Sequence, residues 1–78
     1  MDNKFNEFKK NLGNNIKKVR ESKGVTQEWM DDKLEFGIDI KHYQAIEQGR
    51  ANITLKTLYK ICRKLEVQPE EIFKGMKI

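Results

Sequence analysis

Along the first third of the chain apolar residues recur at Phe5, Phe8, Leu12, Ile16 and Val19. Steps of three and four are the period of one helical face, so this stripe predicts a first helix that stops near Lys23 and Gly24, where glycine can take the left-handed position after the last turn. Its start is open between Asp2 and Leu12, because Asn11, Gly13, Asn14 and Asn15 are poor helix formers within the stripe. Thr26 is a good N-cap, and Gln27 and Glu28 suit a first turn, so a second helix is predicted from Gln27 to about Glu35 with Met30 and Leu34 facing inward. Phe36-Gly37-Ile38 reads as a turn, and Asp39 as the cap of a third helix ending near Gly49.

Beyond a short connection from Arg50 to Ile53, Thr54 caps a fourth helix whose apolar residues are Leu55, Leu58, Ile61, Cys62 and Leu65. Pro69 suits the first position of a short final helix, with Glu70 and Glu71 in its first turn and Ile72 and Phe73 as its apolar contribution. No strand-like alternation and no internal repeat is present. The expected architecture is all-α: a compact five-helix bundle whose single core collects Leu12, Ile16, Val19, Met30, Leu34, Tyr43, Ile46, Leu55, Leu58, Ile61, Cys62, Leu65, Ile72 and Phe73.

Composition narrows the function. A chain of 78 residues has room for one small core and no deep substrate cavity, and a core of this size leaves good reason to oligomerise. The expected organisation is an N-terminal extension or start of helix one over residues 1–11, a domain over 12–73 and a C-terminal tail over 74–78. Sixteen Lys and Arg against twelve Asp and Glu give +4, which suits a polyanionic partner. A single cysteine, Cys62, allows no internal disulfide and no cysteine-rich zinc site, and His42 is the single histidine, so neither cofactor nor metal is expected. No apolar run approaches the ~18 residues of a membrane span, and a cytoplasmic location is expected. No nucleophile with a base, phosphate-cradling glycine loop or metal set is recognisable, so no enzymatic role is expected.

The third helix carries the chemistry. Tyr43 and Ile46 share one face, while Lys41, Gln44, Ala45 and Gln48 follow each other at i, i+3, i+4 and i+7 on another. The major groove of DNA admits one α-helix, and its base edges are read by side chains that offer donors, acceptors or a methyl contact. Lys41 can donate to guanine, Gln44 can pair with adenine, and Ile40 or Ala45 can touch a thymine methyl. The same stripe would equally serve as a solvated face of an ordinary amphipathic helix.

The segments Ile16-Lys-Lys-Val-Arg20, Gly24-Val-Thr-Gln27, Tyr43-Gln-Ala-Ile-Glu47-Gln-Gly49-Arg50 and Asn52-Ile-Thr-Leu55, followed by Leu58 through Phe73, resemble in order and spacing the phage repressor and Cro-like helix-turn-helix family of the XRE type. The resemblance covers roughly residues 12–73. It implies a lambda-repressor-like bundle, with an extended first helix if residues 1–11 join it, and a DNA-binding transcriptional regulator or repressor. It implies that Ile40, Lys41, Gln44 and Ala45 face bases, that Gln27, His42, Arg50 and Asn52 meet the DNA backbone, with Gln27 either contacting a phosphate there or helping to read a base, and that Arg20 and Glu47 form a structural ion pair. Two departures stand out. The turn from Glu35 to Ile38 is longer than the family's usual connection, and Asp31 replaces the customary small residue between the two helices.

A short recognition helix reads few base pairs, so a homodimer on a two-fold-related operator of double-stranded DNA is expected. Its contact candidates are Ile72 and Phe73 of the final helix, with Phe5, Phe8 and Trp29. Trp29 has two readings: a partner surface, or packing against Phe5 and Phe8. The competing functions are an antitoxin or other protein-interaction module on the same scaffold, with a partner such as a toxin, and a controller protein of a restriction-modification system.

Overall fold

The computed structural model describes residues 3–78 and contains five helices: α1 Asn3–Ser22, α2 Gln27–Met30, α3 Ile40–Glu47, α4 Leu55–Leu65 and α5 Pro69–Ile72. Helix α1 packs on α3 and α5, α2 on α3, and α4 on α5. The core sits where they converge, and its fully buried side chains, Ile16, Met30, Tyr43, Ile61 and Ile72, come one from each helix. At ~1.5–3 kcal/mol per large apolar side chain removed from water, these contacts tie even the two four-residue helices into the bundle.

The first helix is continuous from Asn3; Met1 and Asp2, where it could have begun, lie outside the described residues. The polar run inside it is explained by close packing. Gly13 is buried, and a Cβ there would lie 2.7 Å from the Glu47 carbonyl oxygen, so only glycine lets α1 cross the end of α3 this closely. Asn15 donates from Nδ2 to the carbonyls of Ile72 at 2.8 Å and Lys74 at 3.1 Å, tying α1 to the end of α5.

Helix ends follow local chemistry. Thr26 Oγ1 accepts from Trp29 N, Asp39 Oδ2 from Lys41 N and His42 N, and Thr54 Oγ1 from Thr57 N. Gly24 and Gly49 take positive φ after α1 and α3, as a C-terminal cap requires. The backbone N–H of Gln68 donates to Glu71 Oε2 at 2.8 Å, and Pro69 opens α5.

Several expectations are corrected. The second helix ends at Met30, not near Glu35, and Leu34 is fully exposed. After Met30 the backbone turns: Asp32 and Ile38 exchange a pair of 2.8 Å backbone hydrogen bonds in an isolated antiparallel bridge, and Asp32 Oδ1 accepts from Glu35 N. An aspartate side chain bonding its own downstream backbone competes with helix, so the spacing of Met30 and Leu34 does not become a helical face. Ile38, placed in the turn by the sequence, is buried in the core with Val67. Leu55 is 82 % exposed and Phe73 37 % exposed, so neither belongs to the core. Both line a surface groove between α4 and α5, where an apolar side chain at helical spacing faces a cleft instead of the interior. Among the described residues no helix is long and apolar enough to cross a membrane.

Candidate nucleic-acid interface

Helices α2 and α3 pack together with the outer stripe of α3 turned away from the core. Tyr43, Ile46 and Glu47 are buried, Lys41 and Gln48 are exposed, and Ile40, Gln44 and Ala45 are half-buried. The α3 helix spans eight residues, and the ~10–12 Å diameter of an α-helix with its side chains fits the ~12 Å width of the B-DNA major groove.

Beneath that face lies a buried ionic cluster. Arg20 Nε donates to Glu47 Oε2 at 2.7 Å, Nη2 to Oε1 at 3.3 Å, and Nη1 to the Val25 carbonyl at 2.8 Å. Tyr43 Oη also donates to Oε2, and Gln27 Nε2 donates to Oε1 at 2.9 Å, so each carboxylate oxygen accepts two hydrogen bonds. Burial alone would raise the Glu47 carboxyl, but the bonds from Arg20, Tyr43 and Gln27 outweigh it and hold the group below the usual carboxylate range. Burial, then the bond to Glu47, pushes the Tyr43 hydroxyl well above the ordinary tyrosine range, so it remains a donor. The bond to Glu47 likewise raises Arg20.

The cluster reaches the surface through two glutamines. Gln27 Oε1 accepts from Gln44 Nε2 at 3.3 Å, completing a chain from Arg20 through Glu47 and Gln27 to Gln44. This chain pre-orients a side chain on the α3 stripe while leaving the Gln44 amide oxygen and its second N–H available, the acceptor and donor that an adenine edge requires. Gln27, expected at the DNA backbone, is thus also the link that orients Gln44.

Two carboxylates close the α3 N-terminus. Asp31 Oδ1 accepts from Ile40 N at 3.1 Å, and Asp39 caps Lys41 and His42. Asp39 is lowered by the bond from His42 N and by Lys33, whose ammonium lies 3.5 Å from both Asp31 and Asp39. With its first amides occupied, this end of α3 offers no open anion site, and attraction for phosphate rests on side chains. His42 is exposed on α3; Arg50 and Asn52 are exposed in the loop that follows it, where Arg50 Nε donates to Gln48 Oε1 at 2.7 Å. Asp31 fits where a small residue is usual because it serves as this second cap.

The expected dimer contacts lie apart. Ile72 is fully buried, so its side chain is unavailable to a partner, whereas Phe73 joins Leu55, Tyr59, Val67 and Pro69 around the α4–α5 groove. Trp29 lies over Lys64 in a groove with Val25 and Leu65, while Phe5 and Phe8 line another with Asn11 and Ile78. Trp29 and the pair Phe5 and Phe8 thus line separate grooves.

The chain matches the model of the helix-turn-helix domain family over residues 13–78. It is 41 % identical over 64 residues to the SPbeta prophage-derived HTH-type transcriptional regulator YonR of Bacillus subtilis, covering 82 % of this chain and 57 % of that protein. It is 32 % identical over 74 residues to the control protein C.MunI of a Mycoplasma species, covering 94 % of this chain and 97 % of that one. Among solved structures it is similar to the restriction-modification controller protein C.AhdI of Aeromonas hydrophila, with a TM-score of 0.73 and 26 % identity over 82 % of this chain and 94 % of that chain.

Proposed function

Because this chain belongs to the helix-turn-helix domain family, we propose that it is a sequence-specific, double-stranded-DNA-binding transcriptional regulator that acts as a homodimer, with α3 in the major groove of each half of a two-fold-related operator. The observation that carries this reading is the hydrogen-bonded chain from Arg20 to Gln44, which holds a base-reading side chain in place on the exposed face of α3. Lys41, Gln44, Ile40 and Ala45 read bases, while Gln27, His42, Arg50 and Asn52 set register and affinity on the backbone. The role is one of binding, not catalysis.

The homodimer is supported by the exposed apolar residues around the α4–α5 groove, Leu55, Tyr59 and Phe73, on a domain too small to read an operator alone. Selection of bound fragments from random duplexes at moderate salt tests the reading. The expected product is one enriched motif with two-fold-related halves about 10 base pairs apart, one helical turn. Absence of any enriched sequence contradicts it.

The near end-to-end similarity to a control protein favours a narrower form, a controller of a restriction-modification system. That form expects the enriched motif to lie beside genes for an endonuclease or a DNA methyltransferase, and a motif located elsewhere contradicts it.

A further inference from the structure

The connection between α2 and α3 is not a simple turn. Residues 32–38 close on themselves through the Asp32–Ile38 bridge, and Ile38 docks the loop into the core. Helix α4 reaches this loop with a basic row. Lys64 Nζ donates to Asp32 Oδ2 at 2.9 Å, with both side chains largely withdrawn from solvent, and it lies 4.0 Å from the centre of the Trp29 ring and 5.7 Å from that of Phe36. Arg63 lies 6.0 Å from the Phe36 ring, and Lys60 Nζ is 3.5 Å from the Gly37 carbonyl oxygen. One ammonium therefore touches the third residue of α2 and two points of the loop.

The near end of this connection is bonded to α3 by Asp31 Oδ1, which accepts from Ile40 N. A shift of the loop on α4 is thus passed to the N-terminal turn of α3, where Ile40 and Lys41 stand. We infer that Lys64 is a positioning residue for sequence reading: by clamping Asp32, Trp29 and Phe36 to α4, it fixes the pose of α3 without itself touching DNA. A compact cation between a carboxylate and two ring faces has one well-defined position, which a flexible apolar contact would lack. This inference rests on the DNA-reading function proposed above.

Trp29 is the single tryptophan of the chain, so its fluorescence reports on the clamp. The test uses Lys64→Met, which keeps the stem and removes the charge, Lys64→Arg, which keeps the charge, and Asp32→Asn, which weakens the pair from the other side. Each is compared with wild type on the selected operator and on a random duplex at one salt concentration, well below its melting temperature. Lys64→Met and Asp32→Asn are expected to change Trp29 emission and to lower the ratio of operator to random-duplex affinity about tenfold, of the order of one misplaced base contact. Affinity for random duplex is expected to stay within about twofold, since no phosphate contact is removed. Lys64→Arg is expected to retain most of the ratio.

An unchanged ratio in folded variants overturns the inference, because a role confined to stability lowers the melting temperature and leaves the ratio intact. Equal losses on both duplexes also overturn it, since they mark Lys64 as a phosphate contact. If Lys64→Met does not fold, Asp32→Asn decides by the same criteria. A wild type that enriches no sequence defeats the function itself, a result distinct from a wild type that reads DNA while its variants read equally well.

Discussion

Gly13 of α1 lies directly against the Glu47 carbonyl at the end of α3: a β-carbon added there would stand 2.7 Å from that oxygen. The contact joins the first helix to the proposed reading helix through two backbones, with no side chain to yield between them. Replacing glycine by alanine inside a helix ordinarily stabilises by ~1 kcal/mol. Overpacking of this kind costs ~1–3 kcal/mol, and a backbone carbonyl moves less readily than a side chain. Gly13→Ala is therefore expected to lower stability on balance, read as an earlier midpoint in chemical denaturation. A gain in stability would show that α1 and α3 separate easily.

The ionic cluster beside that contact gives the second prediction. Removing one partner of a buried pair typically costs ~3–5 kcal/mol because the other charge is stranded, whereas surface changes stay within about 0.5 kcal/mol. Glu47→Ala should therefore destabilise far more than Glu21→Ala, whose side chain is exposed. Comparable denaturation midpoints for the two would refute the weight given to Arg20 and Glu47.

The same carboxylate sets a pH dependence. Because Glu47 is held below its ordinary range in the folded chain, its contribution is fully present above the unfolded glutamate value of ~4.3 and is lost as pH falls from there through the lower folded value. Asp32, lowered chiefly by its bond from Lys64, and Asp39, lowered chiefly by the His42 backbone, act with the same sign. Wild type should lose stability steeply below about pH 4.5, and Glu47→Gln, less stable at pH 7, should show a shallower loss over that window. Parallel curves would mean that Glu47 does not titrate differently on folding.

Much of this architecture was legible in the sequence, and the exceptions are physical. The caps Thr26, Asp39 and Thr54, the left-handed Gly24 and the opening Pro69 act within a few residues of themselves, so local chemistry specified them. Leu55 and Phe73 were misplaced because helical spacing states which face is apolar, not whether the opposite wall of a cleft is present. Leu34 and Ile38 exchanged roles because Asp32 bonds forward to Glu35 and sideways to Lys64, a residue 32 positions away that no local pattern connects to it. In the candidate site, the α3 stripe was readable from periodicity. The link from Gln27 to both Glu47 and Gln44 was not, since it depends on how α2 crosses α3.

The fourth prediction concerns assembly. If the α4–α5 groove forms the dimer, a charge at its exposed rim should dissociate the protein without unfolding it. Leu55→Glu should sediment as a monomer at micromolar concentration while retaining its helical circular dichroism, and its affinity for the operator should fall. A variant that stays dimeric places the interface elsewhere.

The last prediction bears most directly on the central claim, that one face of α3 reads sequence while Gln27, His42, Arg50 and Asn52 hold the backbone. Arg50→Ala should weaken binding to operator and unrelated duplex alike and reduce the salt dependence by roughly one unit of slope for each phosphate left without its arginine, one in each half-site. Gln44→Ala supplies the decisive measurement: its affinity for the selected operator and for a scrambled duplex, side by side with wild type. Binding to the scrambled duplex should stay nearly intact while discrimination falls by ~1–3 kcal/mol per half-site. If Gln44→Ala retains the full preference for the operator, α3 is not the reading element and the central claim is contradicted.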